Sequence, residues 1–273
     1  MERIESSSNA KIKWAAALHQ RKERDSRGEF VAEGVRLAET ALDSGWPVLF
    51  CLATDTALAN VRAQKIAASL EDKKCPVYIV SENAYKKAAA TESPQGVLLV
   101  MQSVRFSLSD FPTEGNPFFV VLDRLQDPGN VGTILRTADA AGSAGVVATE
   151  GTVDIFSDKV VRSSMGSIFH LPIAAHVSAS DLSAYFHSQG ISCMATVLDE
   201  TAQSHFAVDY RKKAAVIFGN EGNGVSPELL ALSEHIYIPM AGRTESLNVA
   251  TSAAIILYEA FRQRHCMDSS QHR

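Results

Sequence analysis

From residue 118 onward the chain alternates short, unbroken apolar runs with segments of helical period. The runs are FFVVLD, GVVAT, LPIAAH, ISCMATVLD, AAVIFG and IYIPM. Helices are expected from Val131 to Ala141, closed by Gly142, over about 157–168, over about 181–189, closed by Gly190, after Ser226 and Pro227, and from about Leu247 to Arg264. Strands rich in Val, Ile and Leu with no polar alternation must be covered on both faces, as in a parallel sheet. Ligands of such sheets bind in crevices at the carboxyl ends of the strands. The loops after FFVVLD, AAVIFG and IYIPM therefore carry the candidate chemistry.

Residues 29–101 show the same alternation in different sequence, FVAEG through GVLLVM, and read as a second α/β unit. Between the halves, SVRFSLSDFPTEGNP has turn residues and no periodic apolar face. The expected division is 1–105, a linker over 106–116, and 117–267. No apolar run approaches the ~18 residues of a membrane helix, and the first twenty residues interleave charges where a signal peptide would be apolar. A soluble, cytoplasmic protein is expected. Cys51, Cys75, Cys193 and Cys266 lack the C-x-x-C spacing of metal or redox sites, so they read as reduced thiols, and no metal site is expected.

The net charge of −5 excludes a protein that coats nucleic acid by bulk electrostatics. The balance is uneven, with 15 Lys and Arg against 14 Asp and Glu in residues 1–113, and 11 against 17 beyond. The densest basic stretch holds Lys11, Lys13, Arg21, Lys22, Arg24 and Arg27. It reads either as a solvated helix face or as a grip on a polyanion.

In the first loop, Pro128-Gly129 makes a turn and Asn130 can cap a helix whose buried stripe is Val131, Ile134, Leu135 and Ala138. Arg136 falls off that stripe, on the polar side with Thr133 and near Asp139. On the residues alone, Asn130 is equally a plain cap and Arg136 equally a solvated arginine. The second loop, Phe218-Gly-Asn-Glu221-Gly222-Asn-Gly224, lets a ligand approach backbone N–H groups closely. It fits neither the dinucleotide fingerprint nor the P-loop, and the acid in its middle favours a neutral or cationic ligand. In the third loop, Asn248 is a poor helix former that calls for a local partner.

NVGTILRTADAAG, FGNEGNG, and IPM followed by SLNVATSAAIILYEAFR, in this order, resemble the three motifs of the SpoU (TrmH-like) 2'-O-ribose RNA methyltransferases of the SPOUT class. The resemblance covers roughly residues 118–264. FVAEGVRLAETAL resembles the opening of the L30e-like RNA-binding domain that often precedes this catalytic domain. The implied fold is a SPOUT-type parallel sheet with a C-terminal trefoil knot, preceded by a smaller α/β L30e-like domain. A knot is against the general rules of chain topology and invisible in sequence.

By this resemblance Gly219, Gly222, Ile238, Met240, Leu247 and Ala250 fall at the S-adenosylmethionine site, and Asn130, Arg136, Glu221, Ser246 and Asn248 at the polar active-site positions. The implied reaction is 2'-O-methylation of a ribose in structured RNA, ribosomal RNA before transfer RNA, by a homodimer in which one subunit completes the other's site. Ala253, Ala254, Ile256, Leu257 and Phe261 of the last helix read either as that interface or as core. The alternatives are a transfer RNA methyltransferase and a non-catalytic RNA-binding protein of the same fold. The second would be expected to lose Arg136, Glu221 or Asn248, which this chain keeps.

Overall fold

Every residue of the strand Phe118–Asp123 is buried, as is every residue of Gly145–Thr149, which is the two-sided burial expected of a parallel sheet. The computed structural model describes residues 1–199 and 201–265. Cys266, expected as a reduced thiol, lies outside them; Cys51, Cys75 and Cys193 are free thiols. The chain forms two units, Met1–Val104 with Asp154–Phe169, and Arg105–Val153 with His170 onward.

The first unit runs β1 (Glu2–Ile4), α1 (Ala10–Ala17), α2 (Arg21–Arg27), β2 (Glu29–Glu33), α3 (Val35–Ser44), β3 (Val48–Thr54), α4 (Asp55–Leu58), α5 (Val61–Asp72), β4 (Val77–Val80), α6 (Glu82–Ala88) and β5 (Val97–Gln102). Its sheet has the order β1-β4-β3-β5-β2 and is mixed, because β5 pairs antiparallel with both β2 and β3. On one face Ile12 and Leu18 of the α1 region and Tyr85 of α6 pack on Phe50, Leu52, Leu98 and Val100.

The second unit begins before the expected strand. Phe106 bridges to Ala174, and the ring of Phe111 stacks on Phe119 at 5.3 Å. The segment 106–116, expected as a linker, is therefore anchored in the core of the second unit. Isolated apolar anchors have no period, so a search for amphipathic stripes passes over them.

The unit continues as β6 (Phe118–Asp123), α7 (Pro128–Ala140) and β7 (Gly145–Thr149). The chain then supplies helix α8 (Asp158–Ser163) to the first unit and returns as β8 (Ile173–Val177), α9 (Ala179–Gln189), β9 (Ser192–Thr196), β10 (Gln203–Ser204), β11 (Ala214–Gly219), α10 (Pro227–Leu230), β12 (Glu234–Tyr237) and α11 (Val249–His265). The seven strands are all parallel, in the order β10-β12-β9-β11-β6-β7-β8.

The excursion at 154–169 interrupts the block 117–267. Phe156 and Phe169 pack on Phe30 at 5.0 and 6.3 Å, and the buried guanidinium of Arg24 donates through Nε to Asp154 Oδ2 at 2.7 Å. Its helix is shorter than expected because Met165 and Gly166 take left-handed conformations, φ 53 and 103. Arg24 is thus withdrawn from the basic stretch. Arg21 and Arg27 pair with Asp25 and Glu23 on their own helix, and Lys11 lies 4.7 Å over the ring of Trp14.

Candidate active site at the strand ends of the second unit

The first loop is set by Asp127. Its side chain accepts the N–H of Asn130 at 2.8 Å and caps α7, while Pro128 occupies the first turn, where a missing N–H costs nothing. Asn130 is therefore inside the helix and is not its cap, contrary to the sequence expectation. Its amide is freed for other partners, with Nδ2 donating to Glu221 Oε1 at 3.1 Å and Oδ1 accepting from Asn248 Nδ2 at 3.0 Å.

Glu221 collects further donors. The backbone N–H groups of Gln126 and Asp127 point to its two oxygens at 3.2 and 3.3 Å. Partial burial by itself would raise this carboxyl; the hydrogen bonds from Asn130, Gln126 and Asp127 outweigh it and hold Glu221 below the usual glutamate range. A carboxylate so engaged is a structural anion and a poor proton acceptor.

The glycine-rich loop closes on itself. Asn220 and Gly224 exchange backbone hydrogen bonds at 3.0 and 2.9 Å, and Asn220 Oδ1 accepts the N–H groups of Gly222 and Asn223. Those N–H groups are already satisfied, so the loop is not the open backbone cradle its sequence suggested. Gly219 is required for close approach: a Cβ there would lie 2.2 Å from Gly224 C and Val225 N. The buried carboxylate of Asp123 fixes the far end, accepting Ser226 N–H at 2.6 Å and Thr149 Oγ1 at 3.0 Å.

Asn248 precedes α11, and its Oδ1 accepts Ala250 N–H at 2.9 Å and Thr251 N–H at 3.3 Å. This is the local partner the sequence called for, and it starts the helix at Val249 rather than Leu247. Capped in this way, the side chain presents Nδ2 to Asn130. One chain of hydrogen bonds now joins the three loops, from the first turn of α11 through Asn248, Asn130 and Glu221 to the turn after β6.

Beside it lies a cavity of about 480 Å³, within the range of roughly 300–1,000 Å³ typical of small-ligand sites. Gly219, Glu221 and Gly222 line it from the second loop, with Ile238, Met240, Ser246, Leu247 and Asn248 from the third. Ala250 does not line it; it is buried in the first turn of α11. Asn130 stands behind the lining. Arg136 is outside, exposed on α7, with no hydrogen-bond or ion-pair partner among the described residues. It sits about 9 Å along the helix from Asn130 at 1.5 Å per residue.

Thr196 to Asp199 form a wall that sequence reasoning missed. Thr196 ends β9 and the next three residues follow it; β9 lies between β11 and β12 in the sheet. Strand order carries no local signature, so only the general rule that strand ends bind ligands pointed there. Asp199 brings a second carboxylate to the cavity and Glu245 a third. A cavity with an apolar wall of Ile236, Ile238, Leu247 and Ile256 and several carboxylates suits a ligand with an apolar body and a positive charge.

In α11, Ala253, Ile256 and Leu257 are buried in the core of their own chain, where the helix packs on α7 and β11. Of the five residues weighed for an interface, Ala254 and Phe261 remain partly accessible, and Ile255 and Tyr258 are the exposed apolar side chains of the helix.

Comparison with known proteins finds relatives over most of the chain. Residues 117–258 match the SpoU rRNA Methylase family, and residues 9–99 match the MRM3-like substrate binding domain. An uncharacterised tRNA/rRNA methyltransferase of Synechocystis is 40% identical, over 96% of this chain and 94% of the relative. The 23S rRNA (guanosine(2553)-2'-O)-methyltransferase RlmP of Bacillus subtilis is 36% identical, over 94% and 98%. The crystal structure of an AdoMet-bound rRNA methyltransferase from Sinorhizobium meliloti superposes with a TM-score of 0.86 at 34% identity, covering 96% of this chain and 97% of that one. The chain belongs to the SpoU rRNA methylase family.

Proposed function

We infer that the protein transfers the methyl group of S-adenosylmethionine to a ribose 2'-hydroxyl of ribosomal RNA. The observation that carries this reading is the meeting of three ordered loops at one cavity, tied by the Asn248–Asn130–Glu221 chain. The cavity fits the cofactor: its apolar wall takes the adenosine, and Glu221, Glu245 and Asp199 complement a sulfonium and an ammonium. When bound, the cofactor supplies an electrophilic methyl; the ribose oxygen bonds to that carbon as the carbon–sulfur bond breaks, leaving S-adenosylhomocysteine and a proton.

The chain's own residues position the partners of this transfer. Gly219, Gly222, Ile238, Met240 and Leu247 form the cofactor wall, Ala250 sets the helix behind it, and Ser246 and Asn248 hold the third loop and the ribose. Asn130 and Glu221 fix the first loop against the second. A guanidinium stays protonated at working pH, so Arg136 is assigned to hold an RNA phosphate and to stabilise the developing alkoxide.

The position of Arg136 outside its own cavity supports a homodimer in which a second copy completes the site, with Ile255, Tyr258 and Phe261 on the exposed side of α11 as the contact. The placement of β12 on the far side of β9 from β11 is compatible with the trefoil knot of the family. The first unit supplies the grip on RNA through Lys11, Lys13 and Lys22. No helix among the described residues is long and apolar enough to cross a membrane, in keeping with work on ribosomes in the cytoplasm. Mapping of 2'-O-methyl positions in total RNA from cells with and without the gene tests the reading. Loss of one ribosomal position is expected; an unchanged ribosomal map with a lost transfer RNA position would assign the protein to the other substrate class.

A further inference from the structure

Arg136 has no hydrogen-bond or ion-pair partner among the described residues. On a helix surface, residues three and four apart are neighbours, with Cβ atoms about 5–6 Å apart. The residues so placed around Arg136 are Gly132, Thr133, Asp139 and Ala140, of which only Asp139 ionises. The hydroxyls of Thr133 and Thr137 are satisfied by the carbonyls of Gly129 and Thr133. Asp139 is thus the one ionic partner within reach of Arg136 along α7, and the two are not paired. The Asp139 carboxylate is taken instead by His170, whose Nδ1 lies 3.0 Å from Oδ2. His170 leads into β8 and belongs to the same unit as α7.

We propose that His170 is a positioning residue for Arg136: by holding the Asp139 carboxylate it keeps the guanidinium out of an ion pair on its own helix and free for an RNA phosphate. The inference rests on the role of Arg136 assigned under the proposed function. His170 can donate from Nδ1 whether neutral or charged, so the clasp needs no protonation event. Both side chains are partly exposed, so replacing either leaves the core intact. Neither lines the cofactor cavity.

An exposed ion pair at this spacing is weak, so its formation on loss of the His170 clasp should slow the methyl-transfer step by only about two- to fivefold. Surface pairing is screened by salt, and the defect should shrink as ionic strength rises. The test is single-turnover methylation of ribosomal RNA by the full chain, with saturating RNA and cofactor, at low and at high ionic strength. His170→Ala is expected to lower the rate at low ionic strength, with cofactor KM unchanged, and His170→Ala with Asp139→Asn is expected to restore it. A His170→Ala rate equal to the unmodified protein at low ionic strength would overturn the inference, as would a double variant as slow as the single one. Arg136→Ala separates the two levels. If it is active, the assigned role of Arg136 fails; if it is inactive while His170→Ala is unimpaired, only the role of His170 fails.

Discussion

Asn248 Nδ2 donates to Asn130 Oδ1 at 3.0 Å, joining positions 118 residues apart in sequence. This contact sets which way the Asn130 amide faces. With Oδ1 toward Asn248, Nδ2 meets the Glu221 carboxylate; the flipped amide would set oxygen against oxygen there and nitrogen against nitrogen at Asn248. Asn248 is itself oriented by the first N–H groups of α11. The direction of the whole chain is therefore set by the helix start.

Asn130→Ala and Asn248→Ala should not be additive. Residues in one hydrogen-bond network couple by about 0.5–3 kcal/mol. A double-mutant cycle on urea unfolding of the full chain is expected to show coupling in that range. Additive effects would mean that the two amides act independently.

Glu221 should set an acid limit to stability, and the sign follows from its depressed pKa. Its contribution is fully present above the unfolded value, near the ordinary 4.5, and is lost as pH falls through the lower folded value. Above that window the carboxylate stays ionised, so a pKa near neutrality in the rate profile belongs to another group. Glu221→Gln keeps one acceptor oxygen and turns the other into an amide donor, which opposes Gln126 N–H in one orientation and the donors of Asp127 and Asn130 in the other. We expect a melting temperature less dependent on pH in the acid range and methylation slowed by about tenfold or more, on the scale of lost hydrogen bonds to a charged group. An unchanged acid dependence in the variant would contradict this.

Asp154→Ala tests the role of the excursion in the first unit. Removing the carboxylate leaves Arg24 buried with one remaining acceptor, Leu18 O, and breaking such a pair costs about 3–5 kcal/mol. The check is chemical denaturation. A loss under about 1 kcal/mol, the scale of an exposed pair, would show that Arg24 reaches water in solution. The same packing makes deletion of residues 1–104 a poor way to separate grip from chemistry, since it would strand Ile155, Val160, Val161 and Phe169 without their core.

The parallel sheet, its covering helices and the three functional loops were legible because unbroken apolar runs and turn residues are local signals. Part of what the sequence does not reveal depends on distant residues. Arg24 reads as one more cation of a basic stretch until Asp154, 130 positions away, is placed beside it. The wall at Thr196–Asp199 follows from β9 lying between β11 and β12. Asn130 looks able to cap α7 by residue type, although Asp127 directly before Pro128, three residues earlier, is the better cap signal and the actual cap. In the glycine loop the closing contact is local, Asn220 Oδ1 accepting N–H groups two and three residues on, but the three glycines around it equally fit an open turn.

Gly219→Ala should be severe although its φ is ordinary. The new methyl would meet backbone of Gly224 and Val225 at 2.2 Å, and backbone cannot step aside as a side-chain tip can. Forced overpacking typically costs about 1–3 kcal/mol or more. Calorimetry is expected to show S-adenosylmethionine binding lost or strongly weakened; wild-type affinity would show that the loop opens freely.

The most direct test of the account is the single-turnover rate of Arg136→Ala on ribosomal RNA at saturating RNA and cofactor. Loss of a group that stabilises charge in the transition state should cut that rate by about 10²-fold or more, with cofactor affinity and melting temperature nearly unchanged, because Arg136 lies off the buried stripe of α7. Arg136→Lys should recover little, since lysine keeps the charge and loses the planar fork. Near-normal transfer by the alanine variant would contradict the account and leave Arg136 a solvated surface arginine.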